Sequence, residues 1–355
     1  MSLSQMTKGP GSDKASKGQG SSTSQQPLTS DPEFANSFIA EALINEAARQ
    51  SGVSDSDLEL YGKAAAEDPG FWEFAEDDDR KQQKDALPAL RPKHEGKEYK
   101  DFEDGKAFVK GAGDDHEVDP HDVKQGALGD CYLIAGMAAV ARADPEAIKR
   151  LIKDNGDGTF DVTLYMRRDR FSRPRPVTRT IDSRFAVKSS GKPLYAGTGD
   201  KEDGGVELWA ALIEKTVAQN KESYDLISGS NINKHGFVFA GVAELLTGKG
   251  ESYLRTDAMD EDDVLLHIAI ALEEKTSIVA SSRNLKEDEE LTREANKHNV
   301  YWNHAYAPES VDLDARTVTL QNPWGSSHVQ DLPVALFVKF YKALRLGTLS
   351  PGVFV

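Results

Sequence analysis

Gln125-Gly126-Ala127-Leu128-Gly129-Asp130-Cys131-Tyr132-Leu133-Ile134-Ala135 contains the only cysteine of the 355-residue chain. One cysteine forms no intrachain disulfide and no multi-thiolate zinc site, which leaves packing, redox sensing or nucleophilic chemistry. An isolated free cysteine is most often a small buried hydrophobe. The neighbours of Cys131 argue for a nucleophile. Gly126 and Gly129 make the preceding segment a turn or loop, and Leu133, Ile134, Met137 and Val140 then recur at helical spacing among Ala135, Gly136, Ala138 and Ala139. This pattern predicts Cys131 at the first turn of a buried helix, where free backbone N–H groups and the macrodipole favour a thiolate. The Cys131 backbone N–H is then available to an oxyanion forming beside the sulfur. Gln125, six residues upstream, is the candidate second donor.

A thiol nucleophile needs a base to take its proton and a third group to orient that base. Residues 300–306 (Val-Tyr-Trp-Asn-His-Ala-Tyr) and 317–322 (Thr-Val-Thr-Leu-Gln-Asn) are rich in aromatic and β-branched side chains and read as strands. Residues 310–315, with two aspartates, read as the turn between them. A hairpin centred on Leu313 sets His304 opposite Asn322 on one face, with Cβ atoms about 4.5–5.5 Å apart. A slip of one residue would send them to opposite faces. Taken singly, a histidine in an aromatic strand is more often structural, and Asn322-Pro323-Trp324-Gly325 is a turn leaving a strand. Beside the cysteine segment they read as base and orienting amide. His94, His116, His121, His235, His267, His298 and His328 lie in polar or unmatched contexts and receive no role.

The segment Gln125-Gly126-x-Leu128-Gly129-Asp130-Cys131-x-Leu133 resembles the active-site motif of the calpain family of papain-like cysteine proteases. Further motifs follow in the family's order: Glu207-Leu208-Trp209-Ala210-Ala211-Leu212-Ile213-Glu214-Lys215, then Ser223-Tyr224, Gly229 and Leu246-Thr247-Gly248, then His304-Ala305-Tyr306 and Asn322-Pro323-Trp324-Gly325. The resemblance spans about residues 105–330. It implies an α+β, papain-like fold of two lobes, a helical one with the cysteine and an antiparallel β lobe with the histidine and asparagine. It also implies Cys131, His304 and Asn322 as a catalytic triad, an oxyanion hole at Gln125 and Cys131, and Trp324 covering the Asn–His bond. The implied activity is hydrolysis of peptide bonds through a thioester, without a metal cofactor. Calcium is admitted by the resemblance, but no calcium site is identifiable in the sequence. Asn155-Gly156-Asp157-Gly158 superficially suggests an EF-hand loop. With Gly158 as its sixth residue, however, Lys153 and Leu164 fall where acidic ligands belong. It reads as a hairpin turn.

The expected organisation is a polar, disordered leader over 1–33, a helical region over 34–104 and a protease core over 105–345. Within the core, the cysteine lobe covers about 105–225 and the histidine lobe about 226–345. The leader is rich in Ser, Gly, Gln, Thr and Lys and buries too little apolar surface to offset ordering entropy. The second region carries Phe38, Ile39, Leu43, Ile44 and Ala47 at helical spacing and has three readings: propeptide, inhibitory cap or docking module. Tyr132 stands where animal calpains usually have Trp, and only about thirty residues follow Gly325. The expectation is a minimal, bacterial-type core without the C2-like and penta-EF-hand domains.

The net charge of −16 argues against a nucleic-acid partner. No 18-residue apolar stretch predicts a membrane span, and no apolar h-region marks a Sec signal peptide. A single cysteine suits a reducing cytosol. The expected location is therefore cytoplasmic, or a target cell reached by a non-Sec route. The expected partner is a protein or peptide substrate, with autoinhibition by the N-terminal region as a second contact. Two function classes stand open: a cysteine endopeptidase, self-processing or delivered as an effector, and a calpain-like fold serving as a non-catalytic or autoinhibited binding module.

Overall fold

In the computed structural model the described residues are 98–347, apart from 112–113, 168–171, 200, 203–204, 222 and 230–240. The expectations for residues 1–33 and for most of 34–104 fall outside them.

The first lobe opens with two short strands, β1 (Tyr99–Asp101) and β2 (Gly105–Lys106). Helix α1 (Cys131–Ala143) follows, with every residue from Leu133 to Ala141 buried, as its nearly continuous apolar and small-residue sequence requires. Helix α2 (Pro145–Leu151) starts at Pro145, whose missing N–H costs nothing there, and the Asp144 side chain caps it by accepting the Ala147 N–H at 3.0 Å. Strands β3 (Ile152–Asp154), β4 (Thr159–Met166) and β5 (Arg175–Asp182) form an antiparallel sheet. The β4 pattern of alternating burial puts Phe160, Val162, Leu164 and Met166 inward. The Asn155–Gly158 stretch is the β3–β4 turn, where Gly156 and Gly158 take φ values of 76° and 80°. Next come β6 (Arg184–Ala186), β7 (Lys201–Glu202) and β8 (Gly205–Glu207). Strand β6 pairs antiparallel with β1, and β8 runs parallel to β2. Helices α3 (Trp209–Asn220) and α4 (Val242–Thr247) complete one core around the fully buried Trp209.

The second lobe is a six-stranded antiparallel sheet with helices on it. In chain order its elements are β9 (Glu251–Arg255), α5 (Glu261–Glu273), β10 (Ile278–Ser282), α6 (Glu289–Lys297), β11 (Ala305–Asp312), β12 (Thr317–Gln321), β13 (Val329–Pro333), α7 (Val334–Phe340) and β14 (Tyr341–Gly347). The sheet order is β13-β12-β11-β10-β14-β9. Asp260 starts α5 by accepting the Asp263 N–H at 2.8 Å. A second core gathers Tyr306, Phe337, Phe340, Tyr341 and the apolar face of α5. The first core extends to Leu246 and the second sheet begins at Glu251, so the lobes divide near residue 250 and not at 225/226. Helix α4 causes the difference by packing on α1, where a Cβ on Gly136 would lie 2.4 Å from Val242 Cβ.

The hairpin register also differs from the expected one. Ala307 pairs with Gln321 and Asp312 with Thr317, and the ladder shifts between Pro308 and Ser310. Proline has no N–H to give the ladder, and a bulge there absorbs a residue. Trp302 and Asn303 form a turn with Asn303 at φ 49°, so the strand starts at Ala305 and not at Val300. His304 and Asn322 therefore sit just beyond the paired ends of β11 and β12 and are not a ladder pair.

Candidate active site

Cys131 occupies the first position of α1, behind a loop fastened by backbone bonds. Ala127 N–H donates to the Leu194 carbonyl at 2.9 Å, and Gly229 N–H to the Gly129 carbonyl at 2.8 Å. A Cβ on Gly126 would lie 1.9 Å from the Tyr195 carbonyl oxygen, so only glycine allows this approach. Cys131 is partly accessible, with the backbone N–H groups of Ala305 in β11, of Tyr132 and of Cys131 itself on the side of its sulfur. These donors favour the thiolate, yet burial outweighs them and pushes the thiol above its ordinary value of 9.0, with the Asp130 charge adding to the rise. The expectation that the helix start would favour the thiolate is corrected: desolvation wins.

His304 is 7% exposed and is held from both ends. Ser282, where β10 shifts register, accepts the His304 backbone N–H at 2.8 Å and donates to the Tyr301 carbonyl at 2.7 Å. On the side chain, Nε2 lies 3.0 Å from Asn322 Oδ1. The Asn322 amide orientation follows from its other partners. Trp324 backbone N–H donates to Oδ1 at 3.1 Å, and Nδ2 donates to the Ser327 carbonyl at 3.2 Å. An oxygen accepts only, so Nε2 carries the imidazole proton and Nδ1 is left with a lone pair. The Trp324, Tyr306 and Tyr301 rings surround the imidazole at centroid distances of 4.7, 4.9 and 6.4 Å. Their desolvation holds its pKa below the ordinary 6.5, against the opposing hydrogen bond it donates to Asn322. Thiol and imidazole are both shifted towards their neutral forms.

Cys131 and His304 face one cavity of about 850 Å³, whose walls also include Tyr132, Val242, Val279 and Ala305. Trp324 is 42% exposed at the side of the imidazole. Gln125 is placed differently from the others. Its Nε2 donates to the Leu128 carbonyl at 2.7 Å, and it is not among the residues lining the cavity. Asp130 and Glu214 are buried behind the cysteine loop. Both Asp130 oxygens lack an N–H donor, whereas Glu214 accepts the Ala196 N–H at 2.9 Å. Burial raises both carboxyls, Glu214 well above its ordinary range, with the neighbouring Asp130 charge adding to the rise.

The structure thus brings Cys131, His304, Asn322 and Trp324 together. Sequence reading missed two contributors. Ser282 carries no signal beyond two adjacent serines at a strand end, and His328, given no role, accepts the Asn322 backbone N–H on Nδ1 at 3.0 Å. Among the described residues no three His, Cys, Asp or Glu side chains converge as metal ligands, so none is assigned to calcium.

Over residues 90–331 the chain matches the family described as calpain family cysteine protease. The chain belongs to the calpain family. Its α+β fold is accordingly the papain-like one of that family's protease core. Human calpain-12 is 29% identical over 217 residues, covering 58% of this chain and 27% of that protein. The chicken calpain-2 catalytic subunit is 26% identical over 216 residues, covering 58% of this chain and 28% of that protein. The Arabidopsis thaliana calpain-type cysteine protease DEK1 is 25% identical over 219 residues, covering 59% of this chain and 9% of that protein. The chain therefore spans little more than a quarter of these relatives' length, or less. Among the described residues, no helix is long and apolar enough to cross a membrane.

Proposed function

We propose that this chain is a cysteine endopeptidase with Cys131 as nucleophile, His304 as general base and acid, and Asn322 as the group orienting His304. The observation that carries the proposal is the 3.0 Å contact between His304 Nε2 and Asn322 Oδ1, which leaves Nδ1 as a proton acceptor beside the cavity that Cys131 lines. On substrate binding, the Cys131 proton passes to His304 Nδ1 and the sulfur forms a bond to the peptide carbonyl carbon. The oxyanion is held by the Cys131 N–H and the Gln125 side-chain amide. The C–N bond then breaks as Nδ1–H protonates the leaving amine. Water attacks the thioester and gives its proton to Nδ1, the S–C bond breaks, and the sulfur recovers the proton. Trp324 keeps water from the Asn–His bond. The substrate is a protein or peptide chain, and no step requires a metal.

Cleavage of an unfolded protein by the wild type, compared with Cys131→Ala and His304→Ala, tests this reading. Activity in the wild type alone is expected; equal cleavage by Cys131→Ala would overturn it. The same preparations read self-processing as a shortening near residues 90–110 that Cys131→Ala does not show.

A further inference from the structure

Helix α1 carries Cys131 at its first residue and Arg142 in its last turn. The Arg142 side chain is only 19% exposed, and its acceptors all belong to the second lobe. Nη2 donates to Gln321 Oε1 at 2.9 Å and Nη1 to the Pro308 carbonyl at 3.4 Å, while Glu309 Oε1 lies 3.6 Å away. Gln321, itself 1% exposed, returns the connection: its Nε2 donates to the Pro120 carbonyl of the first lobe at 2.6 Å. The next residue, His121, reaches Glu309 Oε1 at 3.2 Å. Beyond Asn322, the Pro323 carbonyl accepts the Gln125 N–H at 2.8 Å. The residues on both sides of Asn322 are therefore bonded to the lobe that holds Cys131.

Burying a guanidinium is costly unless it is well paired, and an apolar residue often serves stability better. Ala139, Ala143, Leu272, Ile278 and Pro308, with Lys275 and Thr276, line the space around Arg142, so most of its surroundings are apolar. A charge kept there is accounted for by fixing alignment. We propose that Arg142 and Gln321 are positioning residues that lock the strand end bearing Asn322 to the helix bearing Cys131, and so set the imidazole against the thiol.

The lever arm gives the size of the effect. Eleven residues at about 1.5 Å each separate Arg142 from Cys131 by roughly 16 Å along the helix. A rotation of the second lobe by about 4° around the Arg142 contact displaces His304 from Cys131 by about 1 Å, and a misplacement of that size costs on the order of 100-fold in rate.

The inference rests on the proposed triad, and the test separates the two. Peptidase kcat and KM, and the pH profile of Cys131 alkylation by iodoacetamide, are measured for wild type, His304→Ala, Arg142→Met, Arg142→Lys and Gln321→Glu, with melting curves for each. Arg142→Met is expected to lower kcat about 10- to 100-fold with KM within about threefold. Its alkylation profile should move towards that of His304→Ala. Arg142→Lys keeps the charge without the fork and should recover part of the loss. Gln321→Glu keeps the acceptor for Arg142 but loses the donor to Pro120, and should lower kcat severalfold below wild type, a readout that stands even if Arg142→Met fails to fold. A folded Arg142→Met or Gln321→Glu with wild-type kcat and alkylation profile overturns the positioning role alone. A wild type whose alkylation profile already equals that of His304→Ala overturns the triad and the positioning role with it.

Discussion

Truncating Asn322 to alanine perturbs the centre of the site most selectively. The side chain is wholly buried, accepts from His304 Nε2 and Trp324 N–H on Oδ1, and donates from Nδ2 to the Ser327 carbonyl. Trp324 and Ser327 lie at an exposed turn where water can replace the lost partner. The His304 ring is shielded by aromatic neighbours, so its Nε2–H is left without an acceptor, at about 1–3 kcal/mol. The imidazole can relieve that cost by moving its proton to Nδ1, which removes the base from the sulfur. Loss of 1.36 kcal/mol in orientation is tenfold in rate, so kcat/KM should fall about 10- to 100-fold. Stability should fall by about 2–4 kcal/mol, because three hydrogen bonds go at once. Asn322→Asp is the companion variant: a carboxylate keeps the Nε2–H acceptor but raises the imidazole pKa, so activity should be partly retained and its acid limb should move to higher pH. The assay is kcat and KM on a fluorogenic peptide from pH 5 to 9, on protein shown to be folded by its melting curve. A folded Asn322→Ala with kcat/KM within twofold of wild type would refute the reasoning.

Three further outcomes follow from the same geometry. Burial lowers the His304 pKa and raises that of Cys131, so in the wild type the acid limb of kcat/KM should lie below pH 6.5 and the alkaline limb above pH 9.0; limbs inside that window would show that the desolvation argument is wrong. The Asp130–Glu214 pair has both folded-state pKa values raised, so its contribution is full below the ordinary carboxyl range and is lost as pH rises through the raised values. Glu214→Gln removes one of the two buried titrating carboxyls and should raise the melting temperature at pH 8 relative to wild type while flattening its pH dependence; an equal drop at pH 5 and pH 8 would contradict this. Gly136→Val forces α1 from α4, where even a Cβ would lie 2.4 Å from Val242 Cβ, and should cost about 1–3 kcal/mol in a denaturant melt; an unchanged midpoint would show that the two helices can part freely.

The local signals in the sequence were strong where periodicity is strong. The apolar run after Cys131 gave α1, and Leu208, Trp209, Leu212, Ile213 and Val217 gave α3. The approach of His304 to Asn322 was also legible, but by a route that the structure does not take. A hairpin centred on Leu313 would pair them directly, whereas the ladder places them past its end, because a bulge at Pro308–Ser310 and a turn with Arg316 at φ 56° shift the register. The side chains still meet because Ser282 and His328 fix the two loop ends independently of the ladder. Those two residues and Arg142 act across 22, 6 and 179 residues of chain, the first two within the second lobe and Arg142 between the lobes, so only tertiary structure gives them meaning. Burial was the other unread quantity. Helix position argued for a thiolate, but the aromatic enclosure and the closed loop that desolvate the pair belong to tertiary structure.

The central claim is that the single cysteine forms an acyl-enzyme with His304 as its base. Acid-quenched mass spectrometry of the chain mixed with a peptide ester measures this directly, since Cys131 is the only thiol. The account predicts an acyl mass on the peptide containing Cys131 that forms before steady state, is absent from Cys131→Ala, and forms at least about 100-fold more slowly in His304→Ala. Product release from the wild type with no acyl mass on Cys131, or acylation at the same rate in His304→Ala, would contradict it.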